Sequence, residues 1–485
     1  MRTVIPFKNF LPWIILVLVI GGLVTWYFVA NHITSAENTS YDTKIKEGNT
    51  MYNSKEYSTA MSYYYEAADM IPSRVEAFEG IFTILIEKGR PDDALSILEK
   101  SAQKINNQDQ AILYTLVGKA YFDNSNYDKA LETFKKGQGV GLNNQDLELM
   151  IGKVYLKKGE IDNAAKQFEK NLYENDNLSE AKLLLSYIQS TSDVDAAKST
   201  LGSVSSTEKW KAYYNEFAEI LALLNTDTKF NATKLSRIYI NNGYPTLAVA
   251  ILQPIETEIS EYLEGVYYLG RAYLETKEYD KALTELNKAV TLGGMEDSIL
   301  WAKARAYIGK SDLSNAIVNY GKAVGYQGKE PSPELVKEYM NILLTNNFTL
   351  KADELLQSIL KGSKSPYLYI YGVKINYVLN NVEKINYYIS LLDASTLEGG
   401  DKLEYLYYKA KALLDQNGDI TQINLVLNSL LEIDRYNPKY YFLLGRLQFE
   451  QGNASEASDS LKKALEYDLN YTITEEASKL LSSVN

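Results

Sequence analysis

Residues 111–144 read AILYTLVGKAYFDNSNYDKALETFKKGQGVGLNN, and residues 145–178 read QDLELMIGKVYLKKGEIDNAAKQFEKNLYENDNL. Laid one under the other, they set Gly118, Tyr121, Ala130 and Phe134 above Gly152, Tyr155, Ala164 and Phe168, an offset of 34 residues. The spacing returns where Gly270, Tyr273, Ala282, Leu286 and Ala289 precede Ala304, Tyr307, Ala316, Tyr320 and Ala323. A fixed period of this size marks stacked supersecondary units, each unable to bury its apolar face alone. Two helices of one unit can approach closely at the small residues, while the large ones fill the layer between successive units. A bulky side chain at Ala130 or Ala164 is expected to force such a pair apart. The expected fold is all-α, a solenoid of helix pairs.

A first copy carries Gly48, Tyr57, Ala60, Tyr64, Ala67 and Pro72. With its small residue, its Tyr three on, then Ala and a large residue, the pattern resembles the tetratricopeptide repeat. That resemblance implies antiparallel helix pairs wound into a right-handed superhelix, with protein partners received in a groove lined by first helices. Clear units are expected at about 41–74, 75–108, 111–144, 145–178, 229–262, 263–296, 297–330 and 438–471, within an array spanning 41–485. The pattern is degenerate at about 179–228 and 331–437. Weak zones near 190–228 and 361–402 read as hinges or changes of superhelical pitch, and Ser199 to Thr207 as an irregular turn. Gly137, Gly139 and Gly141 read as a loose turn between units.

Among 485 residues, 62 acidic side chains outnumber 50 basic ones, for a formal net charge of −12. That balance argues against nucleic acid, whose phosphates are neutralised by basic surface. With no cysteine in the chain, disulfides, thiolate metal sites and lipidation are excluded. The single histidine, His32, offers no hydrolase constellation. No catalytic, metal or cofactor site is expected.

From Leu11 to Ala30 the chain reads LPWIILVLVIGGLVTWYFVA without a charge. As a helix this reaches about 30 Å, enough to cross a bilayer core. Trp13 lies near one end and Trp26 with Tyr27 near the other, where amphipathic rings favour the interfaces. Arg2 and Lys8 precede the span and Glu37 and Asp42 follow it, so the positive-inside rule keeps residues 1–10 as a cytoplasmic tail and puts the array outside. Residues 31–40 read as a polar tether, and the protein as a single-pass component of the cell membrane. A cleaved signal peptide ending near Thr34 and Ala36 is the competing reading. The apolar stretch exceeds the roughly 7–15 residues of such a peptide's core, which favours a retained anchor.

Ala304, Gly309, Lys310 and Ser311 fit a loose nucleotide-binding loop, but the strand that such a loop must follow is missing from the expected helix pair. No nucleotide is expected. Asp415, Asn417 and Asp419 resemble part of a calcium loop, yet Ile420 stands where glycine is required and Val426 where glutamate is, so an inter-helix turn is expected.

A cation follows the small residue of the first helix in several units: Lys119, Lys153, Arg271, Arg305, Lys411 and Arg446. In four of them an aromatic residue lies four positions earlier, pairing Tyr267 with Arg271, Trp301 with Arg305, Tyr407 with Lys411 and Phe442 with Arg446. Residues four apart share a helix face, so each ring is expected beside its cation. The row would form a basic, aromatic-lined stripe for an acidic peptide of a protein partner, or alternatively for a glycan or cell-wall polymer; it also fits an ordinary solvated face. The chaperone-binding clamp of the family is not expected, because Ile45 stands where lysine is needed beside Asn49. Tyr64, Tyr121, Tyr155, Tyr273 and Tyr307 are expected in the core, and Tyr63, Tyr268 and Tyr408 at the surface. The function expected is a membrane-anchored, non-enzymatic scaffold.

Overall fold

A computed structural model describes residues 37–140, 144–174, 178–204, 208–293, 297–325, 330–468 and 472–484. The expected tail 1–10, the apolar segment 11–30 and His32 lie outside the described residues. Among the described residues the chain is helical, with no strand, and no helix is long and apolar enough to cross a membrane.

Residues 37–40, expected in the tether, belong instead to the first helix, α1, helical over 37–53. The reason is Tyr41: it is fully buried, its hydroxyl donates to Glu76 at 3.2 Å and accepts from the Ala77 amide at 3.2 Å, and the helix must begin ahead of it to hold it there.

The chain divides into two compact units, one ending at Leu147 and the other starting at Glu148. The first unit pairs α1 with α2 (Tyr57–Met70), α3 (Val75–Glu87) with α4 (Pro91–Ser101), and α5 (Asn107–Asp123) with α6 (Tyr127–Gly139). At the boundary begins α7 (Gln145–Lys158), which pairs with α8 (Ile161–Glu174). The second unit continues with α9 (Ser179–Gln189) and α10 (Val194–Gly202), the unpaired α11 (Glu208–Leu223), then α12 (Thr228–Asn241) with α13 (Pro245–Leu252) and the single turn α14 (Glu256–Ile259). It goes on through α15 (Leu263–Glu275) with α16 (Tyr279–Thr291), α17 (Asp297–Gly309) with α18 (Leu313–Val324), and α19 (Pro333–Thr345) with α20 (Thr349–Leu360). The last pairs are α21 (Pro366–Val378) with α22 (Val382–Ser390), α23 (Gly399–Asp415) with α24 (Ile420–Ile433), and α25 (Pro438–Glu450) with α26 (Ala454–Tyr467), closed by α27 (Thr474–Val484).

One contact repeats through these pairs. A side chain added at Gly152 would meet the Phe168 ring at 2.5 Å, at Gly372 the Tyr388 ring at 2.7 Å, and at Gly445 Leu461 at 2.8 Å. Phe134, Phe168, Leu286 and Leu461 are fully buried in this position. Tyr64 is wedged between Gly48 and Gly80, so one ring serves two successive pairs.

Turns repeat as well. After the first helix, a residue with positive φ bends the chain back: Gly89 and Gly452, but also Lys55, Ser125, Lys277, Ser311, Asn347, Asn380 and Asn417. The next amide then returns to a carbonyl five residues back, as Asn126 does to Tyr121 at 2.8 Å, Glu278 to Tyr273 at 2.8 Å and Asp312 to Tyr307 at 2.9 Å, closing a Schellman-type turn. Side chains then start the following helices. Asn126, Asp312 and Asp419 accept from backbone amides at the starts of α6, α18 and α24, satisfying donors that have no intrahelical partner.

Gly137 and Gly139, expected in a loose turn, lie in α6. At Gly137 the reason is a close approach: a Cβ there would meet Leu147 at 2.5 Å and Tyr114 at 2.9 Å.

Both weakly patterned zones contain a pair whose second helix has only 9 residues, α10 and α22, against 13 in α16 and 14 in α26. In each case the neighbours on either side meet across the short pair. Thr246 of α13 donates to the Leu156 carbonyl at 2.7 Å, Lys157 donates to the Gly243 carbonyl, and Lys337 of α19 reaches Asp401 of α23 at 3.0 Å. Helix α11 fills the first zone with Phe217, Ile220 and Leu221, and Phe217 packs edge-on against Tyr187 at 4.5 Å.

Gly152→Val is expected to lower stability by about 1–3 kcal/mol, with faster amide exchange in α7 and α8 and none in α25 and α26, since repeat stability is transmitted between neighbours. Gly139→Ala, whose added methyl meets no atom within 4 Å, is expected to be neutral or stabilising by up to about 1 kcal/mol. Hydrogen exchange and thermal melting of the two variants check both outcomes.

Candidate functional site

The ten singled-out side chains all lie on first helices: Lys119 on α5, Lys153 on α7, Tyr267 and Arg271 on α15, Trp301 and Arg305 on α17, Tyr407 and Lys411 on α23, and Phe442 and Arg446 on α25. All are half-buried except Arg305, which is exposed. That follows from the packing: the small residue just before each cation turns inward to its partner helix, which leaves the cation at the edge of the first helix's outward face.

The four expected ring–cation pairs are realised once. Arg271 lies 5.9 Å from the centre of the Tyr267 ring. Lys411 instead sits 4.7 Å over Tyr377 of the preceding first helix, while Tyr407 packs on Tyr408 at 5.2 Å and Tyr440 at 6.3 Å. Arg305 turns to Glu275 at 3.4 Å and Glu338 at 3.7 Å. Arg446 is drawn to Asp415 at 2.5 Å and Glu450 at 2.9 Å. Lys119 pairs with Asp146 at 3.9 Å, and Lys153 with Glu180 at 2.6 Å.

The expected basic stripe is therefore largely neutralised. Carboxylates one helical turn beyond a cation, Glu275, Asp415 and Glu450, supply the counter-charge, and two of them reach the cation of the next unit. Lys234 with Glu264 at 3.3 Å and Lys374 with Glu404 at 2.5 Å extend the same ladder between neighbouring first helices. Two cations of this face stand outside it. Among the described residues, Arg271 and Arg237, the equivalent residue of α12, make no ion pair. Arg237 was missed in the sequence because it follows Ser236 rather than glycine or alanine and has no aromatic residue four positions earlier.

Trp301 carries a further unmet group: its indole N–H is buried and has no hydrogen-bond partner among the described residues. Around Arg305 a cleft of about 300 Å³ is lined by Glu275, Ile308, Tyr320, Glu338 and Ile342. Burial first, and then the Glu338 carboxylate accepting its hydrogen bond, pushes the Tyr320 hydroxyl well above the ordinary phenol range. A second cleft of about 320 Å³ lies beneath the Lys337–Asp401 bridge, lined by Tyr367, Tyr371, Lys374 and Glu404. The linings of both clefts mix charged groups with phenol hydroxyls, which offer charge and hydrogen bonds to a polar group. Tyr64, Tyr121 and Tyr273 are buried as expected, whereas Tyr155 and Tyr307 are half-buried. Tyr63, Tyr268 and Tyr408 are half-buried rather than freely exposed; Tyr63 lies under Lys44 at 4.8 Å, and Tyr268 and Tyr408 pack against Tyr267 and Tyr377.

The ladder responds to pH through Asp415. Burial opposes its charge, but hydrogen bonds from Lys411 and Arg446 outweigh burial and hold its carboxyl below the usual carboxylate range. Because the folded pKa lies below the unfolded one, this contribution is present above the ordinary value of about 3.9 and is lost as pH falls through the lower folded value. Asp415→Asn is expected to remove about 1 kcal/mol and to speed amide exchange in α23 and α25 at neutral pH. Wild type and variant should converge only below about pH 4, which exchange measured across pH checks.

The tetratricopeptide repeat model matches residues 264–292 and 438–471, the pairs α15–α16 and α25–α26. No curated protein sequence matches the chain. Three solved structures resemble it: the APC/C hetero-tetramer Cut9-Hcn1, 14% identical over 92% of this chain and 96% of that one with a TM-score of 0.36; Naa15/Naa10 bound to HypK-THB, 13% identical over 96% and 89% with a TM-score of 0.39; and yeast Tom70, 15% identical over 92% and 96% with a TM-score of 0.36. Likenesses this loose do not bear on partners. The matched segments are helix pairs closed by the same small-against-large contact, at Gly270 with Leu286 and Gly445 with Leu461, and these two pairs are tetratricopeptide-type repeats within an all-α array of helix pairs.

Proposed function

We propose that the chain is a membrane-anchored, non-enzymatic scaffold whose first-helix face receives an extended segment of a protein partner outside the cytoplasm. The observation that carries the reading is the succession of aromatic and cationic side chains left half-buried along the first helices, with an indole donor on Trp301 still without an acceptor. Surfaces that pair rigid aromatic rings with arginine suit partner anchoring, because these side chains add contact area at low entropic cost. The uncharged run Leu11 to Ala30, with Arg2 and Lys8 before it, supports the anchor and the orientation. Envelope assembly, secretion and protein quality control are settings that such a scaffold suits.

Two measurements test this reading. The full-length chain is expected in the membrane pellet after alkaline carbonate extraction, and a form lacking residues 1–36 in the supernatant; a full-length chain released by carbonate contradicts the anchor. Affinity capture from an envelope extract by the detergent-solubilised chain is expected to retrieve a protein, and Trp301→Ala/Arg305→Ala to weaken that capture at least about tenfold, a loss of about 1.4 kcal/mol. Retention of polysaccharide but of no protein would overturn the scaffold reading in favour of glycan binding.

A further inference from the structure

Lys337, near the start of α19, donates to both carboxylate oxygens of Asp401 in the first turn of α23, at 3.0 and 3.1 Å. The two helices are not neighbours, because the pair α21–α22 stands between them. Packed helices lie about 8–10 Å apart, so a flat stack would set α19 and α23 about 16–20 Å apart. An ion pair across that interval requires the array to bend toward its first helices at α21, with the second helices α20, α22 and α24 on the outside of the bend. Contacts between neighbours hold the stack itself. The Tyr371 hydroxyl of α21 lies 2.8 Å from Asn341 and 3.2 Å from the Lys337 carbonyl of α19, and Lys374 of α21 reaches Glu404 of α23 at 2.5 Å. The Lys337–Asp401 bridge adds a different constraint: it fixes how far the stack bends.

This constraint is of a kind that gives way. The two side chains are 38% and 37% exposed, and an ion pair open to water to this degree favours its closed form by no more than about fivefold. Salt near 1 M shortens the screening length to about 3 Å and weakens the pair further. The backbone ahead of Asp401 is also free to turn. Helix α23 opens on Gly399 and Gly400, and a Cβ at either position would meet no atom within 4 Å. Gly399 is needed for its φ of +51°. Gly400 is required neither for space nor for a left-handed angle, and what it supplies is conformational freedom. The other long-range junction of this unit is built differently. There the Thr246 hydroxyl donates to the Leu156 carbonyl at 2.7 Å and Lys157 donates to the Gly243 carbonyl. Both contacts end on backbone carbonyls rather than on a carboxylate, so salt has little to screen.

We propose that the Lys337–Asp401 bridge is a clasp, sensitive to ionic strength, that sets the curvature of the array at α21. Closed, it holds α19 and α23 together over the cleft lined by Tyr367, Tyr371 and Lys374. Open, it lets α23 turn away about Gly399 and Gly400, which straightens the stack and uncovers the α21 face. The clasp concerns bending within the array, so it does not rest on the scaffold reading.

Double electron–electron resonance on the full-length chain in detergent tests the clasp. The chain has no cysteine, so nitroxides attach where cysteines are introduced. Ser358→Cys on α20 and Asn428→Cys on α24, both at exposed positions, report the outside of the bend; Lys166→Cys on α8 and Gln253→Cys just after α13, also exposed, report the other junction. Raising NaCl from about 0.05 M to about 1 M is expected to shorten the distance between positions 358 and 428 by at least about 3 Å, part of one helix spacing. The distance between positions 166 and 253 should stay the same. Lys337→Gln, which leaves the acidic first turn of α23 intact, should show the short distance already at low salt and no longer respond to salt. Lys337→Arg retains the bridge and should behave as wild type. Lys374→Gln, an equal change of charge in the same cleft, should keep both the wild-type distance and its response. Circular dichroism of each variant establishes that it is folded. A folded Lys337→Gln chain with the wild-type distance at low salt overturns the clasp. A salt-induced change of equal size in both label pairs does so too, since it would be a general loosening of the array.

Discussion

The array depends on a small residue, most often glycine, facing a ring or a leucine across many of its helix pairs. Where Gly152 meets Phe168 or Gly372 meets Tyr388, the two helices come together closely enough that a methyl group has no room. That proximity buries the large side chain completely, and burial of a side chain of this size is worth roughly 1.5–3 kcal/mol. A single pair gains too little to stand alone, so the contact must be repeated and stacked. The same geometry also decides the surface. Once the small residue is turned inward, the residue after it lies at the edge of the first helix's outward face, and in this chain that residue is repeatedly a lysine or an arginine.

Electrostatics then divides that edge into two kinds of position. Most cations are held by carboxylates from their own or a neighbouring helix, such as Asp415 between Lys411 and Arg446. These bridges align first helices and leave little net attraction for a partner. Arg237 and Arg271, on the adjacent first helices α12 and α15, make no ion pair among the described residues. The Lys337–Asp401 bridge acts in the opposite sense: it spans the face in front of α21 and closes it where the pair beneath has a short second helix.

How much of this was legible in the sequence depended on whether a feature was local and periodic. The small-against-large contact was legible because one register of spacing carries both partners, as with Gly118 and Phe134. The turns were partly hidden, because Lys55, Ser125 and Lys277 adopt the left-handed conformation that glycine would have advertised. Helix α11 and the meeting of Thr246 with Leu156 were not legible, since the repeat pattern fades there and the contact joins residues 90 positions apart. For the candidate site, the row of cations was legible and its neutralisation was not. Counter-ions such as Glu275 for Arg305 belong to the neighbouring unit, and pairing them needs the helix register. Arg237 escaped because its unit substitutes serine at the small position.

A partner could also approach from the second-helix side, where Leu350, Leu425 and Tyr387 are 71%, 63% and 57% exposed. Site-specific photo-crosslinking in the cells that make the protein decides between the faces most directly, with the crosslinker placed at Tyr267 on the first-helix face or at Leu425 on the second-helix face. The account predicts a discrete protein adduct from Tyr267 and none from Leu425. Adducts from Leu425 with silence at Tyr267 would contradict it.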